Sequence, residues 1–146
     1  MAKKYKPKPT PEGYRNLEFV WLREVQMRTT GVYILWVGER FYIGKANCIR
    51  NRIVSHRNKL NYALGAFLYG NRVKHLNGSY ETIVSYLVEN PEIKTIEVDV
   101  LYICETEKEA LIEEEYWFKA LISHPLNHFC LNKLNYLPDI MFLLND

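Results

Sequence analysis

Two short apolar runs separated by a polar turn form the clearest structural pattern in the chain. Residues 32–37 (VYILWV) and 41–44 (FYIG) flank a Gly-Glu dipeptide, and a two-residue turn containing Gly between such runs is typical of a β-hairpin. The resulting register places Tyr33 opposite Gly44. Because side chains alternate along a strand, Tyr33 and Tyr42 lie on one face and are diagonal neighbours. Gly44 leaves a gap beside Tyr33, which we interpret as the start of a site; the structural alternative is an ordinary half-buried sheet face.

Apolar spacing along the rest of the chain predicts a small α+β fold. It predicts a helix over 14–28, the hairpin over about 32–43, a helix over 48–60 with Asn47 as N-cap, one or two helices within 61–93, a strand over 96–104, a helix over 106–122 and a last short helix over 138–144. We therefore expect a three-stranded antiparallel sheet flanked by helices. Residues 1–13, rich in lysine and proline, are predicted to be a flexible basic arm, and 14–146 a single domain.

Length and composition indicate an ordinary globular domain. The chain has 146 residues, of which 48% are hydrophobic, so one domain can bury its own core. Three cysteines without C-x-x-C spacing argue against a disulfide framework and a zinc site, and they fit a reducing compartment. No apolar run is long enough to span a bilayer, and the Lys- and Pro-rich start does not have the pattern of a signal peptide. We expect a cytoplasmic protein with no membrane partner.

Charge is distributed unevenly along the chain although the net charge is only +2. Residues 1–60 contain 13 Lys or Arg and four Glu, a net charge of +9, whereas residues 61–146 contain six Lys or Arg and 13 Asp or Glu, a net charge of −7. A basic half built around the hairpin would suit a polyanion such as nucleic acid. The alternative is that the two halves neutralise each other across the fold.

The predicted helix over 48–60 carries two residues that could do chemistry. Arg52 and His56 are four residues apart, so they are neighbours on the helix surface and lie beside its apolar stripe. An arginine in that position favours an anion, and a histidine there can act as a base or a phosphate donor. The structural alternative for His56 is a hydrogen-bonded core residue.

The predicted helix over 106–122 contains a carboxylate within its apolar face. On a helical projection, Glu114 falls in the middle of the stripe that includes Ala110 and Phe118. A buried carboxylate is costly unless it is paired or bound to a cation. Two interpretations remain open at this point: an ion pair with Arg52, or a ligand for Mg²⁺ or a similar hard cation whose other ligands are waters and phosphate oxygens.

These motifs together resemble the GIY-YIG nucleases. Residues 31–33 (GVY) and 42–44 (YIG), eight residues apart, are similar to the two halves of the family signature, with Val in place of the first Ile. Arg52 and His56 follow Tyr42 by ten and fourteen residues, as in intron-encoded phage members of the family. The resemblance extends over about residues 30–133 and implies a small endonuclease of phage or mobile-element type, in the cytoplasm of a bacterium or of a phage-infected cell.

The second half of the resemblance concerns the metal-binding helix and the asparagine that follows it. The segment 110–119 (ALIEEEYWFK) is similar to that helix, with Glu114 aligned to the metal ligand. For the asparagine there are two candidates: Asn132 has the aromatic-x-Asn context, and Asn127 has the closer spacing. We recognise no separate DNA-binding domain after this segment, and residues 61–93 are longer than the minimal family module requires.

The resemblance implies hydrolysis of DNA phosphodiester bonds with one divalent ion, Mg²⁺ or Mn²⁺. Glu114 would hold the metal, and Arg52 would neutralise charge that develops on the phosphate. Tyr33 and Tyr42 would orient or deprotonate the attacking water, with His56 assisting the proton transfer or holding a phosphate oxygen. The partner would be DNA, most simply duplex DNA. The alternative is a catalytically idle nucleic-acid-binding module, or a structural protein with an apolar contact surface.

Three further residues are candidate DNA contacts. A phenol is a weak base at its ordinary pKa of about 10, so Lys45, directly after the second motif, could activate a tyrosine or simply contact phosphate. Arg72 and Lys74 lie between two helical patterns, where a loop could recognise bases. The alternative for that segment is a solvated connector.

Overall fold

The computed structural model describes residues 9–26, 28–70, 78–122 and 130–132. Its elements in chain order are β1 (Glu18–Trp21), β2 (Thr30–Val37), β3 (Arg40–Ala46), α1 (Ile49–Leu68), α2 (Gly78–Glu89), β4 (Thr95–Cys104) and α3 (Glu107–Ile122). The predicted α+β class is confirmed. Residues 1–8 of the predicted arm lie outside these ranges. Also outside them are Arg72, Lys74, Asn127 and the predicted last helix.

The sheet differs from the prediction in the number of its strands and in their relative directions. The described residues form a four-stranded mixed sheet in the order β1-β4-β2-β3, so the expected three-stranded antiparallel sheet is wrong. β4, β2 and β3 are antiparallel as expected, and β1 is added parallel to β4. The hairpin register is confirmed: Tyr33 pairs with Gly44 and Leu35 with Tyr42. Gly38 adopts a φ of 61°, the positive value that a tight hairpin turn requires of its first central residue.

The predicted helix over 14–28 is wrong because this segment pairs with β4. Leu17 is buried and Phe19 and Trp21 pack against the core, so the segment also has the two-residue alternation of a strand. The amide of Asn61 on α1 fixes the start of this strand by accepting from the Leu17 N–H at 2.7 Å and donating to the Leu17 carbonyl at 3.3 Å. These tertiary contacts outweigh the helical spacing of the apolar residues.

The helix that follows the hairpin is longer than predicted and begins differently. α1 extends to Leu68 instead of residue 60, and its N-cap is Cys48, which makes no side-chain capping bond. Asn47 is not the cap because its side-chain amide donates to the carboxylate of Glu107 on α3. The carbonyl of Thr29 instead accepts from the first helical N–H, that of Ile49, at 2.8 Å. The start of α1 is therefore joined to β2 and to α3.

Helices cover both faces of the sheet. One face carries the larger core, which includes Leu35 and Val98 with apolar residues of α1 and α2. The opposite face carries a smaller core, in which Val32 and Ile43 pack against Phe118 of α3. Within the described part of the chain, no helix combines the length and apolarity needed to cross a membrane. β3 lies at the sheet edge, between the α1/α2 layer and α3, and the candidate site residues gather along it.

Candidate active site

The outer edge of β3 is hydrogen-bonded to side chains and loop backbone instead of another strand. Asn132, only 7% exposed, accepts from the Ile43 N–H at 2.8 Å and donates to the Ile43 carbonyl at 2.7 Å. Next to it, the Leu131 N–H donates to the carbonyl of Phe41 at 2.6 Å. A primary amide thus reproduces both bonds of a strand pair. Asn132 therefore holds the Tyr42-Ile43-Gly44 segment in place, which is a supporting role.

Gly44 allows Tyr33 to lie flat across β3. A Cβ atom at position 44 would overlap the hydroxyl and ring of Tyr33, so the expected gap is not open; the phenol of Tyr33 itself occupies it. Tyr33 is 1% exposed, and its ring centre lies 6.4 Å from that of Tyr42. The two tyrosines are therefore adjacent on one face, as the register predicts. The small residue at position 44 directs the Tyr33 hydroxyl towards α1.

His56 lies between two phenols. Its Nε2 is 2.5 Å from the Tyr33 hydroxyl, and its Nδ1 is 2.5 Å from the hydroxyl of Tyr80 on α2. The ring also packs against Tyr42 with 5.6 Å between centres. His56 is 4% exposed, so it faces inward from α1, as expected of a residue beside the apolar stripe. The structural interpretation, a hydrogen-bonded core histidine, therefore holds, and the same ring contacts a tyrosine that is a candidate catalytic group.

The environment keeps both His56 and Tyr33 uncharged. Burial, aided by the positive charges of Arg52 and Lys59, lowers the pKa of His56 to about 4. Burial also raises the pKa of Tyr33 well above its ordinary value, and the nearby Tyr42 adds to this effect while Arg52 opposes it. At neutral pH the imidazole therefore has one N–H and one free lone pair, so it can accept a proton from one phenol and donate to the other.

Glu114 lies at the same sheet edge on the α3 side. Its carboxylate accepts a hydrogen bond from the backbone N–H of Lys45. With Tyr42, Ser79 and Asn132 it lines a cavity of about 130 Å³. Partial burial raises the pKa of Glu114, with a further contribution from Glu115, whereas the ammonium of Lys45 and the guanidinium of Arg52 lower it. The carboxylate thus faces a cavity that also contains a candidate tyrosine.

Arg52 is exposed instead of lying beside the core. It lines a second cavity along β3 together with Lys45 and with Glu107 of α3. Among the described residues there is an ion pair between Arg23 and Asp99, but none between Arg52 and Glu114. The ion-pair alternative for Glu114 therefore does not hold, and the guanidinium remains close enough to influence Tyr33, His56 and Tyr80 electrostatically. Lys45 lowers the pKa of Glu114, whereas the cation that lowers the pKa of Tyr33 is Arg52.

The candidate metal position is lined by the carboxylates of Glu114 and Glu115, of which Glu115 is the more exposed. Within the described ranges, no group of three or more His, Cys, Asp or Glu side chains is arranged to hold an ion. A site with one or two protein carboxylates still suits Mg²⁺, because this ion keeps several waters and binds substrate phosphate oxygens. Glu114 is half-buried, faces the cavity and has no ion-pair partner among the described residues, so it fits such an ion.

Of the candidate residues, the structure brings together Tyr33, Tyr42, Gly44, Lys45, Arg52, His56, Glu114 and Asn132 along β3. Tyr80 was missed by the sequence analysis. It precedes the buried Ile83 and Val84 by three and four residues, and that helical spacing could have placed it on the core face of α2. Arg72, Lys74 and Asn127 lie outside the described residues.

In comparisons with family models, curated proteins and solved structures, nothing matched this chain. The resemblance to the GIY-YIG nucleases therefore depends on the motif residues of the sequence alone.

Proposed function

We propose that this protein is a metal-dependent DNA endonuclease of the GIY-YIG type, which hydrolyses phosphodiester bonds in duplex DNA. The observation that carries the proposal is the convergence of four candidate groups on β3. Tyr33, Tyr42 and His56 are in ring contact on one side of the strand, and Glu114 binds the strand's outer edge in a cavity shared with Tyr42. The positions are separated by up to 81 residues in sequence, and the fold brings them together.

Glu114 is the residue that would hold the divalent ion, Mg²⁺ or Mn²⁺, with waters and phosphate oxygens as its other ligands. When bound, such an ion polarises the scissile phosphate and stabilises negative charge on the leaving 3′-oxygen. The Lys45 N–H supports this role because it orients the carboxylate. Burial raises the pKa of Glu114, and the ammonium of Lys45 opposes that shift and so favours the charged form that a cation requires.

Arg52 would compensate the charge that develops on the phosphate during attack. An exposed guanidinium beside a cavity at the sheet edge can reach a phosphate oxygen and form paired hydrogen bonds with it. Arg52 and Lys45 place two positive charges at this end of β3, and residues 1–60 carry a net charge of +9. This local charge favours a polyanionic substrate.

Tyr33 and Tyr42 would orient the attacking water and accept its proton. Because burial raises the pKa of Tyr33, a free phenolate is unfavourable, so the phenol can take a proton from water only as it passes its own proton on. His56 is suited to receive that proton, since its pKa of about 4 leaves the imidazole neutral at physiological pH. Asn132 supports the reaction indirectly through its two bonds to Ile43.

Incubation with supercoiled plasmid tests the proposed activity. With Mg²⁺ or Mn²⁺ the protein should convert the plasmid to nicked or linear DNA, and EDTA should stop the conversion. A gel-shift assay on the same DNA in Ca²⁺ or EDTA measures binding independently of cleavage. Binding without cleavage in either metal would contradict the proposal and would indicate a catalytically idle nucleic-acid-binding module. If the protein neither binds nor cleaves the DNA, that result would favour a structural protein.

A further inference from the structure

Tyr80 has no counterpart among the motif residues, yet it makes one of the two hydrogen bonds of the buried histidine. It lies on α2, within the segment 61–93 that exceeds the minimal module. Its hydroxyl is 2.5 Å from Nδ1 of His56, and its ring centre is 5.5 Å from the imidazole centre. Tyr33, Tyr80 and His56 thus form a continuous chain of three hydrogen-bonding groups.

We propose that Tyr80 is a positioning residue that fixes the tautomer of His56, with the proton on Nδ1, and connects His56 to solvent as the last member of a proton relay. A neutral imidazole donates through one nitrogen and accepts through the other. If the Tyr80 oxygen accepts from Nδ1–H, the lone pair of Nε2 faces the Tyr33 hydroxyl and can receive its proton. This role depends on the proposed nuclease function, because it concerns the same attacking water.

The relay moves one proton from the attacking water to bulk solvent. As water attacks phosphorus, its proton goes to the Tyr33 oxygen, while the Tyr33 proton goes to Nε2 of His56. The Nδ1 proton goes to the Tyr80 oxygen, and the original Tyr80 proton leaves to solvent. The phosphorus–O3′ bond breaks, and the 3′-oxygen departs with the electron pair and takes a proton from solvent. No charged tyrosine or histidine remains after these transfers.

The surroundings support this direction of transfer. Tyr33 is 1% exposed, so bulk solvent does not reach it to take up its proton, whereas Tyr80 is only partly buried. The environment also disfavours an imidazolium at position 56, because Arg52 and Lys59 are close and the ring is buried. A proton that arrives at Nε2 therefore leaves readily through Nδ1, which requires an acceptor at the position of the Tyr80 oxygen.

A single substitution removes the acceptor and keeps the ring. Tyr80→Phe should remove the preference for the Nδ1–H tautomer, and the kcat for plasmid cleavage should fall on the order of 10-fold or more, as when a supporting hydrogen bond is removed. KM for DNA should stay unchanged. Tyr86→Phe, on the same helix, is the matched control: Tyr86 stacks under Arg40 and should leave both the tautomer and kcat unchanged.

Nitrogen-15 NMR of the full chain without DNA reads the tautomer directly, and comparison with His56→Gln identifies the His56 signals among the four histidines. The expected result is a protonated Nδ1 and an unprotonated Nε2 in the wild type. A protonated Nε2 in the wild type would overturn the relay, even if Tyr80→Phe proved unable to fold. An unchanged tautomer and kcat in a folded Tyr80→Phe would also overturn it.

If cleavage is intact, either of these results leaves the nuclease proposal standing. A wild type that cuts no DNA overturns the nuclease function and, with it, the catalytic role of Tyr80.

Discussion

Burial of His56 should make the stability of the protein depend on pH in a way that a single variant can isolate. The ring is 4% exposed, and the nearby Arg52 and Lys59 further disfavour its protonated form. In the unfolded chain the same ring titrates with a pKa of about 6.5, and in the folded protein its pKa is lowered to about 4. Below about pH 6.5 the unfolded state therefore binds a proton that the folded state does not bind.

The sign and size of the effect follow from these two values. Because the folded-state pKa is the lower one, the stabilising contribution is complete above about pH 6.5 and is lost as the pH falls towards about 4. Each tenfold change in proton affinity corresponds to about 1.4 kcal/mol, so the full loss is about 3 kcal/mol. About 2 kcal/mol of it should be lost between about pH 7 and about pH 4.5. Glu114 acts in the opposite direction, since its raised pKa favours the folded state in acid.

Urea unfolding of the wild type and of His56→Gln at several pH values measures this contribution. Glutamine can still bond to Tyr33 and Tyr80 but does not titrate, and the contribution of Glu114 is common to both proteins. The free energy of unfolding of the wild type should therefore fall more steeply with acid than that of the variant, by about 2 kcal/mol between about pH 7 and about pH 4.5. Parallel curves would refute the inference that His56 is buried in its neutral form.

Three further predictions test other parts of the site. Gly44→Ala should destabilise the fold by about 1–3 kcal/mol in urea unfolding because the new methyl group overlaps the Tyr33 ring; its control, Gly65→Ala within α1, has a Tyr14 ring carbon 3.3 Å away and should be neutral or stabilising. A Gly44→Ala protein as stable as the wild type would argue against the close contact with Tyr33. Arg52→Ala should lower kcat on the order of 10²-fold or more and leave DNA binding largely intact in a gel-shift assay, whereas equal losses in both would reduce Arg52 to a positioning contact. Deletion of residues 1–8, with four lysines, should flatten the salt dependence of DNA binding by roughly one unit of log–log slope for each phosphate that these lysines neutralise; an unchanged slope would mean that this segment does not contact DNA.

Local patterns predicted the hairpin because its register depends only on a tight turn and on alternation. The pairing of Tyr33 with Gly44 follows from counting residues outward from the turn, and the structure has this pairing. The apolar stripe of α1 was equally predictable, and the buried His56 lies beside it, whereas Arg52, expected beside it as well, is exposed. In both cases the information lies within about 20 residues, where the geometry of one element determines which side chains share a face.

Long-range contacts account for what the sequence could not predict. The segment that forms β1 has apolar residues at both helical and strand spacing, and only its pairing with β4 decides between them. The bond between Asn47 and Glu107 joins positions 60 residues apart, so the capping prediction had no means to include it. The prediction of an open gap at Gly44 was wrong for a similar reason, because the side chain of Tyr33 on the neighbouring strand fills it. The position of Tyr80 beside His56 depends on how α2 packs against α1.

The most direct test of the central claim compares two carboxylates on one helix. Glu114 faces the cavity with Tyr42, whereas Glu113 does not line that cavity and lies near Cys104, whose pKa is raised by burial and then by Glu109 and Glu113. Both are replaced by Ala, which is the same change in charge and size on α3, and the rate of supercoiled plasmid cleavage in Mg²⁺ is measured for each. Glu114→Ala should abolish cleavage, while Glu113→Ala should cut at the wild-type rate. Wild-type cleavage by a folded Glu114→Ala would contradict the assignment of Glu114 as the metal ligand.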